Sequence, residues 1–92
     1  MKKIVTSPIA AILTKRETDI IHLIIKEYST KEIANALFLS TETIKTHRRN
    51  IFKKLGVRNV AGLVRESILH GIVKHENILL SQTQSEMRAL EV

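Results

Sequence analysis

Residues 40–56, STETIKTHRRNIFKKLG, give the strongest indication of the fold of this chain. Ser40 is a favoured helix N-cap, because its hydroxyl can accept a hydrogen bond from a free backbone N–H in the first turn. Gly56 is typical of the position just past a helix end, where a left-handed backbone is common. The stretch therefore predicts a helix from Thr41 to Leu55.

A helical wheel of this stretch, drawn at about 100° per residue, separates an apolar stripe from a polar face. Ile44, Ile51 and Leu55 form the stripe, which is expected to face the core. Phe52 lies on one flank of the stripe, where we expect it to help the core. Polar side chains lie on the other flank: His47, Asn50 and Lys54. Five residues lie opposite the stripe: Glu42, Lys45, Thr46, Arg49 and Lys53.

The charge of the chain is concentrated in the same stretch. Six basic residues and no acidic ones lie between Thr43 and Arg58, which accounts for the whole net charge of +6. Solvated helix faces usually mix the two signs, so a cluster of one sign indicates a polyanionic partner. DNA or RNA is the first candidate, and an anionic membrane is the weaker alternative.

The outer face of this helix suits the major groove of duplex DNA. Lys45 and Arg49 can donate to guanine O6 and N7, and the methyl group of Thr46 can touch a thymine methyl group. The first turn of the helix offers free N–H groups and the positive end of the helix dipole to a phosphate. Three hydroxyl side chains lie beside it: Ser40, Thr41 and Thr43.

Two capping boxes predict two earlier helices. Thr14 and Glu17 can form the first box, and Ser29 and Glu32 can form the second. Each box precedes apolar residues at helical spacing.

The remaining boundaries complete a helix-turn-helix. Asn59 can cap a fourth helix, and Gly71 would stop it. Only Phe38-Leu39-Ser40 separates the second helix from the third, and this spacing is the outline of a helix-turn-helix. No strand-like alternation of useful length occurs, so we expect an all-α fold of four helices.

The sequence divides into three segments. Residues 1–12 are interpreted as a leader or linker, 13–71 as the DNA-binding domain, and 72–92 as a tail that is either disordered or weakly helical. A signal peptide is not expected, because Thr6-Ser7-Pro8 interrupts the apolar start. No run approaches the roughly 20 apolar residues of a membrane span. We therefore expect a cytoplasmic protein, which the lack of cysteine also suits.

Three separated motifs resemble the LuxR/NarL/FixJ family of bacterial transcription regulators. They are residues 13–17 (LTKRE), 31–34 (KEIA) and above all 40–57 (STETIKTHRRNIFKKLGV), and the resemblance covers about residues 12–72. It implies base contacts by Lys45, Thr46 and Arg49. It also implies that five residues approach the phosphate backbone: Thr30, Lys31, Thr43, His47 and Asn50. To the backbone contacts we add Ser40, Thr41 and Lys53.

The resemblance implies that the fourth helix joins two copies on DNA as a homodimer. The outward-facing candidates are Val60, Val64 and Ser67, and the alternative for Val64 is a place in the core. The chain departs from the family at two positions, since glycine is frequent where Glu27 and Phe38 stand. We expect the first helix to close differently at Glu27, and Phe38 to pack on the core.

Most family members carry an N-terminal receiver or ligand-binding domain, as in two-component systems. This chain is accordingly expected to be either a free-standing regulator or an isolated output domain.

The sequence shows neither of two motifs that would indicate an enzyme. The four histidines show no metal-ligand spacing, and the three glycines form no phosphate-binding loop. We therefore expect no catalysis, no metal and no cofactor. The function that we predict is sequence-specific binding of double-stranded DNA that regulates bacterial transcription. Two alternatives are a protein-interaction module that docks on RNA polymerase or another regulator, and a sigma-factor-like promoter reader.

Overall fold

The computed structural model describes residues 11–73, and these residues form four helices. The helices are α1 (Lys15–Ile25), α2 (Thr30–Leu37), α3 (Thr41–Leu55) and α4 (Val60–Leu69). The described residues contain no strand, which confirms the all-α prediction. Residues 1–10 and 74–92, which hold most of the predicted leader and tail, lie outside the described residues.

The predicted capping residues begin all four helices. The Thr14 hydroxyl accepts from the Glu17 N–H at 3.0 Å, and the Glu17 carboxylate accepts from the Thr14 N–H at 2.9 Å. Ser29 and Glu32 form the second box at 3.1 and 2.8 Å. The other two caps are single bonds, from the Thr43 N–H to Ser40 at 3.1 Å and from the Gly62 N–H to Asn59 at 2.9 Å.

The core is aliphatic and draws on every helix. The α3 stripe is buried as predicted, since Ile44 and Ile51 are fully covered and Leu55 is nearly so. α1 packs against the three other helices, α2 packs closely on α3, and α4 packs on α1 and α3. The buried apolar residues are Ile20, Ile21, Ile24, Ile33, Ala34, Ile44, Ile51, Leu55, Leu63 and Val73.

All four helices end in the same way, with a left-handed residue followed by a backbone hydrogen bond that reaches back five residues. Gly56 and Gly71 end α3 and α4, with φ of 68° and 71°. Glu27 and Phe38 end α1 and α2, with φ of 69° and 57°. The bonds join the N–H groups of Tyr28, Leu39, Val57 and Ile72 to the carbonyls of Leu23, Ala34, Phe52 and Ser67 at 2.8–3.0 Å. This is the Schellman arrangement that glycine favours.

Two expectations about the glycine-replacing residues are therefore wrong. The first helix does not close differently at Glu27, because the backbone there adopts the conformation that a glycine would supply. Phe38 does not pack on the core: 93% of it is exposed, because it is the left-handed residue at the end of α2 and its side chain points into solvent. A left-handed conformation costs an L-residue roughly 1–2 kcal/mol.

Candidate nucleic-acid interface

The outer face of α3 carries the three residues predicted to read bases. Lys45, Thr46 and Arg49 are all exposed, as the buried stripe on the opposite side requires. Lys45 lies 3.4 Å from the Glu42 carboxylate, in a surface pair that contributes little. Within residues 11–73, Arg49 has no acidic partner at ion-pair distance. These side chains are thus placed to meet an external partner.

The residues predicted to touch phosphates surround this face. Lys31, Thr41, Asn50 and Lys53 are exposed, whereas Thr30, Thr43 and His47 are half-buried. The exposed Ser40 is already engaged within the chain: its hydroxyl holds the α3 cap and lies 2.9 Å from the Thr43 hydroxyl.

A groove on one flank of α3 brings together residues that the sequence did not join. Thr30, at the start of α2, faces Lys45, Arg48, Arg49 and Phe52 of α3 across a space of about 330 Å³. The Arg48 guanidinium lies 5.6 Å from the centroid of the Phe52 ring, within cation–π range. Sequence reasoning counted Arg48 among the cations of α3 but gave it no role, and it did not place Arg48 on the helical wheel.

The other flank of α3 carries an ion pair that sequence reasoning also missed. Lys54 Nζ donates to both carboxylate oxygens of Glu17, at 2.8 and 3.0 Å, and to the carbonyl of Ile12 at 3.1 Å. Only 4% of Glu17 is exposed. A signal was present, since Glu17 lies at helical spacing before Ile20, Ile21 and Ile24, and a carboxylate on an apolar stripe needs a cation.

The pair sets the ionisation of Glu17. Burial alone would raise the pKa of its carboxyl group. The hydrogen bonds from Lys54 and from the Thr14 N–H, with the charges of Lys54 and His47, outweigh burial and lower the pKa below its usual 4.5. Glu17 is therefore ionised at neutral pH, and Lys54 is committed to neutralising it.

The fourth helix only partly matches its predicted dimer surface. Val60 is exposed, and Val64 is half-buried against the core, so it lies between its two predicted positions. The prediction that Ser67 faces outward is wrong. Ser67 is fully buried, because it shares a side of α4 with the buried Leu63 four residues earlier. Among the described residues, its hydroxyl is the one buried side-chain polar atom without a hydrogen-bond partner.

Two further features are absent from the described part of the chain. Between residues 11 and 73, no cluster of three or more acidic or histidine side chains is placed to hold a metal ion. None of the helices in that range has the length and apolar character needed to span a membrane.

A helix-turn-helix with a cationic outer face on its second helix defines a DNA-binding class of small helical domain. The chain belongs to the luxR family of bacterial regulatory proteins, and the match to that family covers residues 11–67.

Three relatives place the chain within this family. It is 51% identical to the transcriptional regulatory protein MctR of Rhizobium johnstonii over 61 residues, or 66% of this chain and 28% of MctR. Identity to the oxygen regulatory protein NreC of Staphylococcus aureus is 43% over 63 residues, or 68% of this chain and 29% of NreC. Identity to the spore germination protein GerE of Bacillus subtilis is 40% over 60 residues, or 65% of this chain and 81% of GerE. The chain thus spans less than a third of two of these relatives and most of the third.

Proposed function

We propose that this chain binds specific sites on double-stranded DNA through α3 and thereby regulates transcription in the bacterial cytoplasm. One observation carries the proposal: the exposed face of α3 presents Lys45, Thr46 and Arg49 directly opposite a fully buried stripe. Family membership supports it, and so does the similarity to relatives such as the transcriptional regulatory protein MctR.

Base reading falls to the three side chains in the centre of this face. Arg49 and Lys45 donate to guanine O6 and N7, and the Thr46 methyl group packs on a thymine methyl group. Arg49 contributes most to specificity, because its planar guanidinium can donate two parallel hydrogen bonds to one guanine. The Glu42 pair on Lys45 is weak enough to give way on binding.

The polar residues around this face contact phosphates and thereby hold α3 in the major groove of the DNA. Such contacts set register and orientation without reading sequence. Lys31 and Lys53 supply charge, and the half-buried Thr30 lies at the start of α2. The other proposed phosphate contacts are Ser40, Thr41, Thr43, His47 and Asn50.

Dimerisation through α4 completes the proposal. Val60 and the outward part of Val64 form the contact, while the buried Ser67 is left out. Two copies joined in this way suit half-sites about 10 base pairs apart, since both α3 helices then lie on one face of the duplex.

Two experiments test the function. Selection of bound sequences from random DNA should return a defined site, its spacing and its symmetry. Binding of the selected duplex should weaken steeply with salt, by about 0.9 log unit in affinity per log unit of salt for each phosphate neutralised. The absence of salt-sensitive duplex binding would overturn the proposal and favour an interaction module that docks on RNA polymerase or another regulator.

A further inference from the structure

Arg48 occupies an unusual position on α3. It lies between the buried stripe and the outer face, and it is half-buried. Its guanidinium is held over Phe52, one turn further along the helix, at 5.6 Å from the ring centroid. The ring restricts where the guanidinium can go, so less conformational entropy is lost when this side chain meets a ligand.

The charge of Arg48 is not neutralised within the described part of the chain. Between residues 11 and 73, no carboxylate lies at ion-pair distance from it. Lys45 and Arg49 also line this groove, and of the three cations only Lys45 has a carboxylate within ion-pair distance, that of Glu42 in a weak surface pair. An anion in that space would relieve their mutual repulsion and would be held by charge-assisted hydrogen bonds.

The walls of the groove indicate which anion fits. They are largely apolar and are contributed by Phe52, by the three cationic side chains and by Thr30. A deoxyribose phosphate matches this lining, because it joins an apolar sugar face to an anionic group. The groove is also continuous with the proposed reading face, since Lys45 and Arg49 belong to both.

We propose that Arg48 is a further DNA-binding residue, which grips one backbone phosphate in the groove beside Thr30 while Phe52 positions its guanidinium. This inference rests on the proposed function and adds a contact on the flank of α3 that the sequence left unassigned. Arg48 fixes how deeply α3 sits in the major groove and does not distinguish bases.

The test measures binding of two fluorescein-labelled duplexes, one recovered by selection and one of random sequence, over a range of salt. Arg48→Gln should weaken binding to both by about tenfold, as expected for one lost charge-assisted contact. It should make the salt slope shallower by about 0.9 and leave the affinity ratio of the two duplexes unchanged. Arg48→Lys should keep the slope but bind more weakly than the wild type, because an ammonium group has no planar fork to lie on Phe52.

Arg16→Gln is the matched control, because Arg16 is exposed on α1, does not line the groove and, like Arg48, has no carboxylate at ion-pair distance among the described residues. An equal loss in this control would show that only net charge matters and would overturn the assignment. So would an unchanged salt slope in Arg48→Gln while the wild type binds DNA. Failure of the wild type to bind would instead overturn the proposed function.

The role of Phe52 is tested in a double-mutant cycle. Phe52→Leu should weaken DNA binding in the wild type but add nothing in the Arg48→Gln background, because the ring acts through the guanidinium. Equal losses in both backgrounds would show that Phe52 does not act through Arg48. Thermal unfolding followed by circular dichroism checks that each variant is folded.

Discussion

The two flanks of α3 each carry a half-buried cation, and the two cations differ in whether an acidic side chain neutralises them. Lys54 is bound to the nearly buried Glu17 of α1, and its charge serves the fold. Arg48, on the other flank, lies over Phe52 and has no acidic partner among the described residues. The sequence shows both as members of one basic cluster. A cluster of like charges therefore overstates the charge available for binding until the internal partners are known.

The largest expected effect comes from breaking the ion pair between Lys54 and Glu17. Lys54→Met should lower the free energy of unfolding by about 3 kcal/mol, because it leaves the Glu17 carboxylate buried and unpaired. Urea unfolding measures the change. The neighbouring Lys53→Met is the control, and it should change stability by less than about 0.5 kcal/mol since Lys53 is exposed.

A second substitution separates the lost charge balance from lost packing. Glu17→Gln keeps the capping box, because glutamine can also accept from the Thr14 N–H. Combined with Lys54→Met, it should recover part of the lost stability, since no unpaired charge is then buried. If the double variant is as unstable as the two single losses added together, the pair is not the reason for the effect.

The next effect in size concerns the outer face of α3, which lies between the two flanks and carries the proposed base contacts. Arg49→Ala should cost about 1–3 kcal/mol in binding to the selected site and should relax its sequence preference. Stability should hardly change, because the side chain is exposed. Competition between selected and random duplexes measures the preference. An equal loss on both duplexes would assign Arg49 to phosphate contact.

A smaller effect is expected at the turn before α3, where a substitution should change stability without affecting either flank of α3. Phe38→Gly should raise the free energy of unfolding by about 1 kcal/mol, because it relieves the left-handed strain. DNA binding should stay unchanged. Gly56→Ala is the mirror control, and it should lose about 1 kcal/mol at a φ of 68°. A destabilised Phe38→Gly variant would mean that the exposed ring makes a stabilising contact after all.

The smallest expected change concerns pH and distinguishes the flanks directly. The folded chain lowers the pKa of Glu17, so its ionised form contributes stability that is present above the unfolded value of 4.5. This contribution is lost as the pH falls through the lowered, folded pKa. The wild type should therefore lose its advantage over Glu17→Gln in acid, measured as unfolding free energies from pH 7 downward.

Arg48→Gln serves as the control for the pH series. It should follow the wild-type pH curve in parallel, because no carboxylate among the described residues pairs with Arg48. A wild-type advantage over Glu17→Gln that persists unchanged through acid pH would contradict the account of the ion pair.

The features that the sequence predicted well are local ones. The caps at Ser29, Ser40 and Asn59 depend on residues three apart, and the stripe of Ile44, Ile51 and Leu55 depends on a single helical period. A pattern within one helix is enough to establish them.

The features that the sequence did not predict depend on contacts between different helices. Lys54 and Glu17 are 37 residues apart, and a wheel cannot show which cation a buried carboxylate will meet. The prediction that Ser67 faces outward was wrong because the resemblance assigns α4 to a dimer but does not show how far the core extends around that helix. The groove beside Arg48 needs α2 and α3 together, since Thr30 lines one side of it.

The shared ending of the four helices has a consequence for how this domain can change its target. On the proposed function, new site preferences would arise through substitutions on the outer face of α3, and most substitutions lower stability somewhat. A small domain that carries strain at both Glu27 and Phe38 has little margin to absorb such losses. Glycine at these two positions would restore that margin, so libraries of α3 variants built on such a background should yield more folded members with altered specificity.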